Sequence, residues 1–97
     1  MFQIEFTPEA IADMRSFRKP ERRRIVEEIS SQLKHFPAQE TPRKKKLRPN
    51  KAAEWELRVD PFRIFYDVEE EERFVKIEAV GYKRGSTLFI RGEEYTL

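Results

Sequence analysis

Residues 55–68 read WELRVDPFRIFYDV: two runs in which apolar residues alternate with others, joined at Asp60-Pro61, each carrying one arginine. A strand sends alternate side chains to opposite faces, so if Trp55, Leu57 and Val59 line a core, Arg58 cannot. Arg63 opposes Ile64 in the same way. Both arginines are therefore predicted on one face of a sheet, on adjacent antiparallel strands, with Phe65 beside them and Lys76 and Glu78 flanking. At the rim come the stretch RKKKLRPNK of residues 43–51, which holds Lys44, Lys45, Lys46 and Arg48 and no acid, and the segment Tyr82-Lys83-Arg84. Arginine, lysine and aromatic groups gathered on one surface suit RNA or another phosphate-rich partner. The same periodicity fits equally well a solvated sheet face whose basic groups pair with Glu56, Asp67 and Glu78.

Few other chemistries are within reach of these residues. There is no cysteine, and the one histidine, His35, is expected on the second helix next to Phe36, where a helix-end role fits better than a catalytic one. The run Glu69 to Glu72 reads as a solvated hairpin tip, with no spacing that converges on one cation. Gly81, Gly85 and Gly92 do not open a helix, so no phosphate-cradling loop is expected. No metal or cofactor is called for. RNA cleavage stays open, because the 2′-hydroxyl of the substrate is itself the nucleophile; alignment, a base, a leaving-group acid and cationic stabilisation of the transition state suffice. Arginine supplies the last bidentately, clustered lysine is open to a lowered pKa, and tyrosine or glutamate can move a proton.

The elements that must position these groups follow from length and pattern. Ninety-seven residues make a single domain, 1–97, with one core. Charged residues reach 39% against 38% hydrophobic, so the surface is densely ionic around a modest core. Net charge is only +2, but it is segregated between the basic 43–51 stretch and the acidic 69–72 run. The first residues lack a signal-peptide pattern, and no apolar run approaches the roughly 18 residues that span a bilayer. A cytoplasmic protein without membrane contact is expected.

Phe2, Ile4 and Phe6 alternate as a strand. Thr7-Pro8-Glu9 opens a helix, with a capping hydroxyl, a proline suited to the first position and acids, Glu9 and Asp13, towards the positive end of the dipole. Ala10, Ile11, Met14 and Phe17 give it one apolar face. Lys19-Pro20 interrupts it, and Ile25, Ile29, Leu33 and Phe36 stripe a second helix. So short a break predicts an antiparallel helical hairpin. After Pro37 and Pro42 the period becomes two: a strand near Lys45 and Leu47, the pair 55–59 and 62–68, then Val75, Ile77 and Ala79. The tail LFIRGEEYTL is either a short strand or a packed irregular segment. The expected architecture is α+β: an N-terminal strand, a helical hairpin, then a three- to four-stranded antiparallel meander, both helices on one face and the other face open.

In this order FTPEA, KKLRP, WELRVDPFRIFYDV and IEAVGYKRGSTLFIRGEEY resemble the RelE/ParE superfamily of bacterial toxin–antitoxin toxins over nearly the whole chain. The resemblance implies the same fold and a neutralising antitoxin that wraps the toxin. In the RNA-cleaving branch it implies ribosome-dependent, metal-independent cleavage of messenger RNA by basic residues of the open face. Arg63 then matches the arginine of the "Y-R-x-x-Y" strand and is the candidate for transition-state stabilisation. Arg58 matches a basic residue of the preceding strand, and Lys83 or Arg84 the basic group after "V-G". Glu56 stands where some relatives have a second lysine, and Leu88-Phe89-Ile90 offers no hydroxyl where they have a tyrosine. That leaves Glu56 or Tyr82 to move a proton, with Lys44, Lys45, Lys46 and Arg48 holding RNA. The superfamily also implies an alternative, a ParE-like inhibitor of DNA gyrase without nuclease activity. A binding module that keeps only its antitoxin is a third reading.

Overall fold

A computed structural model describes the chain from Met1 to Leu97. Its elements are β1 (Gln3–Phe6), α1 (Pro8–Arg15), α2 (Lys19–Leu33), β2 (Lys44–Lys46), β3 (Trp55–Val59), β4 (Phe62–Glu69), β5 (Phe74–Arg84), β6 (Thr87–Ile90) and β7 (Glu93–Tyr95). Thr7 caps α1 as its sequence context predicts, its hydroxyl accepting the Ala10 N–H at 3.0 Å. At the start of α2 the Glu21 carboxylate accepts the Arg18 N–H at 2.9 Å, and Pro20 occupies the first turn, where no amide donor is needed. Neither helix is long and apolar enough to cross a membrane.

The strands form one sheet in the order β2-β3-β4-β5-β6-β7, antiparallel throughout, with β1 added parallel to β5. β5 is the longest element of the sheet: its first half pairs β1 and its second half pairs β6. The main core lies between sheet and helices. Ala10, Met14, Ile25, Ile29 and Leu33 meet Trp55, Leu57, Val59, Ile64, Tyr66, Val75 and Ile77 there. The Tyr66 hydroxyl is tolerated in it because it donates to the Pro37 carbonyl at 2.8 Å. The α+β architecture with both helices against one face is therefore as expected, with the meander longer than three or four strands because the tail forms β6 and β7.

Four expectations are corrected. The face away from the helices is not open along its whole length: Phe65, Ala79, Leu88 and Ile90 make a second core there, flanked by Leu47, Ala52, Ala53 and Tyr95. Phe65 is bulky and apolar on that face, and the LFI tail and the 47–53 strap bury it. Ala79 joins this second core because the β4–β5 register slips between Phe65 and Tyr66: Phe65 pairs Ala79 but Tyr66 pairs Ile77, so Glu78 is the extra residue of a bulge. Val80 takes the main-core place that strict alternation assigns to Ala79. Phe36 lies beyond the end of α2 and is 67% exposed, and Ile11 is 42% exposed, so neither extends the helical stripes. Asp13, read as a dipole partner, is buried, its Oδ2 accepting the Val80 N–H at 3.0 Å.

Candidate functional site

Strand pairing puts Arg58 directly across from Arg63, with Leu57↔Ile64 and Trp55↔Tyr66 on the alternate, helix-facing side. Arg63 in turn pairs Gly81 of β5, and Lys83 follows two residues on, on the same face. A side chain at Gly81 is excluded, since a Cβ there would fall 2.3 Å from the Phe89 carbonyl oxygen and 2.9 Å from the Ile90 Cγ1. The Lys83 N–H donates to the Pro61 carbonyl at 2.8 Å, which holds the end of β5 beside the Asp60-Pro61 turn. Arg58, Arg63 and Lys83 thus share the face that carries the second core, at the end of β4 away from Phe65–Ala79. Lys45 and Glu56, paired in register, continue the same face across β3 onto β2.

These groups differ in freedom. Arg58 is exposed and its guanidinium forms none of the ion pairs of the structure. Arg63, expected to stand free on an open surface, is only 6% exposed. Its Nη1 donates to Asp60 Oδ1 at 2.8 Å and to the Phe62 carbonyl at 2.9 Å. No buried side-chain nitrogen lacks a partner, so the remaining N–H groups of this guanidinium reach solvent. Glu56 and Lys83 are half-buried.

The other candidate residues point elsewhere. Lys44, expected to hold RNA, is buried, because β2 alternation turns it with Leu57 towards α2; its Nζ donates to the carbonyls of Phe36 and Gln32 at 2.8 and 3.2 Å. That ammonium satisfies acceptors at and beyond the C-terminal turn of the helix, and burial lowers its pKa. Lys46 faces the same way, 5.9 Å from the centre of the Trp55 ring. Arg48 is exposed on the strap. Tyr82 and Arg84, expected at the rim of the arginine face, lie on the opposite one: Tyr82 stacks on Phe89 at 5.4 Å, takes the Phe17 ring edge-on at 6.3 Å, and Arg84 sits 5.9 Å from its centre. Parity is the cause, since Lys83 between them faces the arginines.

Two arrangements have no counterpart in the sequence reading. The first is the Asp60–Arg63 pair, whose only trace in the sequence is an acid three residues before an arginine across a turn. The second lies in a cleft of about 610 Å³ under the strap, on whose floor are Asp67 and Glu78. Burial pushes Glu78 up to about 7, reinforced by its hydrogen bond to Asp67 and the charge of that group, and opposed by Lys76. Alternation from Val75 and Ile77 places Glu78 on the face of Asp67, and the bulge leaves it without a partner residue on β4. The strap itself is closed by Asn50, whose Oδ1 accepts the N–H groups of Ala52 and Ala53 at 2.7 and 3.1 Å.

Residues 4–86 match the family model of the ParE toxin of type II toxin–antitoxin systems, parDE. The chain belongs to this toxin family. The match spans β1 to β5 and includes the Arg58, Arg63 and Lys83 of the ParE-family face, while the hairpin β6–β7 that covers Phe65 lies outside it. Among solved structures, the toxin–antitoxin complex RelBE2 from Mycobacterium tuberculosis contains a chain of the same fold, 23% identical with a TM-score of 0.73, covering 84% of this chain and 98% of that one. The archaeal RelE–RelB complex from Pyrococcus horikoshii OT3 gives 21% identity and a TM-score of 0.66, over 87% of this chain and 96% of that one. At these identities the likeness is one of fold. No curated protein matches the ParE-family chain at a significant level.

Proposed function

We propose that this toxin arrests translation by cutting messenger RNA on the ribosome without a metal, and that a cognate antitoxin neutralises it. The observation that carries the reading is the Arg58↔Arg63 register pair, which with Lys83 sets three cations on one face of the sheet, Arg58 exposed, Lys83 half-buried and Arg63 held beneath them. Arg58 and Lys83 hold the phosphates that flank the scissile bond. The exposed edge of Arg63 meets the two equatorial phosphoryl oxygens as negative charge builds on them. Glu56, two residues from Arg58 on the same face, takes the proton of the 2′-hydroxyl as its oxygen bonds to phosphorus. The P–O5′ bond breaks, and the departing oxygen is protonated by Lys83, leaving a 2′,3′-cyclic phosphate and a 5′-hydroxyl. Tyr82, on the other face, takes no part. The antitoxin is supported by the company this fold keeps, since the chains from Mycobacterium tuberculosis and Pyrococcus horikoshii OT3 both come from toxin–antitoxin complexes.

One feature favours the second reading, inhibition of DNA gyrase: the phenol of Tyr82 at the strand end is turned away from the cations, leaving a thin set of proton carriers. Controlled expression of the chain in bacteria separates the readings. Growth arrest with cleaved messages, abolished by Arg63→Ala, supports the nuclease. Arrest with intact messages and accumulated gyrase–DNA cleavage complexes selects the gyrase inhibitor. Normal growth overturns both and leaves an antitoxin-binding module.

A further inference from the structure

We infer that Asp60 is a positioning residue for Arg63; this deepens the nuclease reading and rests on it for its catalytic consequence. Two guanidinium groups placed directly opposite in an antiparallel pair repel each other, and Arg63 is the one that cannot escape to solvent, being 6% exposed. It needs a counter-charge, and Asp60 is its one carboxylate partner: Nη1 to Oδ1, 2.8 Å. The two side chains are unequal, 7% exposed for Arg63 and 71% for Asp60. The aspartate therefore gives one oxygen to the arginine while remaining largely hydrated, and it escapes most of the desolvation cost of a fully buried pair.

The direction of the bond decides its use. Asp60 and the Phe62 carbonyl both take Nη1, on the side of the β3–β4 turn. Two acceptors on one terminal nitrogen restrain the guanidinium, and they leave its Nε and Nη2 N–H groups unengaged by protein acceptors. Such a donor is oriented before any phosphate arrives, which lowers the reorganisation needed in the transition state. Asp60 itself touches no substrate.

The test compares wild type with Asp60→Ala and Asp60→Asn, the latter keeping an oxygen acceptor without the charge. On programmed ribosomes Asp60→Ala is expected to lower kcat about 10- to 100-fold with KM little changed, and Asp60→Asn, which restores the acceptor and not the counter-charge, to recover part of that loss. A ¹⁵N spectrum gives a second readout independent of cleavage. The Arg63 Nε–H resonance is expected to be dispersed in wild type and Asp60→Asn, and to collapse towards the position of free arginine in Asp60→Ala. Unchanged kcat in an active toxin sinks the catalytic role, and faster cleavage with tighter RNA binding would show Asp60 to be a competitor for the phosphate. A dispersed Arg63 resonance in Asp60→Ala sinks the positioning itself. If wild type cleaves nothing, the nuclease reading fails while the spectrum still decides whether Asp60 holds Arg63.

Discussion

Arg91, in the β6–β7 turn, donates from Nη1 to both carboxylate oxygens of Asp13 in α1, at 2.9 and 2.8 Å. The Asp13 side chain is 1% exposed and also receives the Val80 N–H, so one buried carboxylate ties the hairpin covering Phe65 to the first helix and to β5. Asp13→Ala is expected to lower stability by about 2–4 kcal/mol, because a buried amide loses its acceptor and the hairpin its anchor. Arg91→Ala leaves that carboxylate buried with the Val80 N–H as its remaining partner, so it should cost about 1–3 kcal/mol. Urea denaturation of the two variants checks both values, and an Arg91→Ala variant as stable as wild type would contradict the tie.

Gly81→Ala is expected to destabilise by about 1–3 kcal/mol, since the new methyl meets backbone, which cannot rotate away, as well as the Ile90 side chain. Because Gly81 lies across from Arg63, displacement of β6 would also widen the basic patch. A melting temperature equal to that of wild type would refute the close approach of β6.

Glu78 ties stability to pH. Its folded pKa is raised from 4.5 to about 7, so the folded state holds a proton that the unfolded chain releases. The contribution is complete below about 4.5 and is lost as pH rises to about 7, with no further change above. Asp67, Lys76 and Glu9 face the group, so the transition should shift with salt. Unfolding free energies of wild type and Glu78→Gln from pH 4 to 8 test this; the variant should lack the decline, and a parallel decline in both would assign it to another group.

Lys44 and Lys45 are neighbours with opposite fates. Lys44→Ala strips two helix-end carbonyls of their donor and should cost about 1–3 kcal/mol of stability while leaving the salt dependence of RNA binding unchanged. Lys45→Ala, at an exposed position beside Glu56, should cost under about 0.5 kcal/mol and reduce the slope of log affinity against log salt by about one. Melting curves and binding titrations from low to high salt check the pair, and a reduced slope for Lys44→Ala would place its ammonium on the RNA after all.

Strand parity, helix caps and the four-residue spacing of Ile25, Ile29 and Leu33 are local properties, and they carried the α+β layout and the shared face of Arg58 and Arg63 from the sequence alone. The chain order of FTPEA, WELRV, FRIFY and VGYKR was enough to indicate the toxin family. What lay beyond reach depended on contacts between residues far apart in the chain. Period-two alternation cannot reveal a bulge, so Ala79 moved to the second core and Val80 took its place in the main one only when β4 and β5 met. Nor can it show that the tail folds back over Phe65, which reduces an open face to the patch around Arg58, Arg63 and Lys83. Charge alone did not separate Lys44, consumed by the carbonyls of Gln32 and Phe36, from Lys45 in water. Whether an arginine is free or held depends on the atoms within hydrogen-bond reach, and for Arg63 only the folded turn brought Asp60 there.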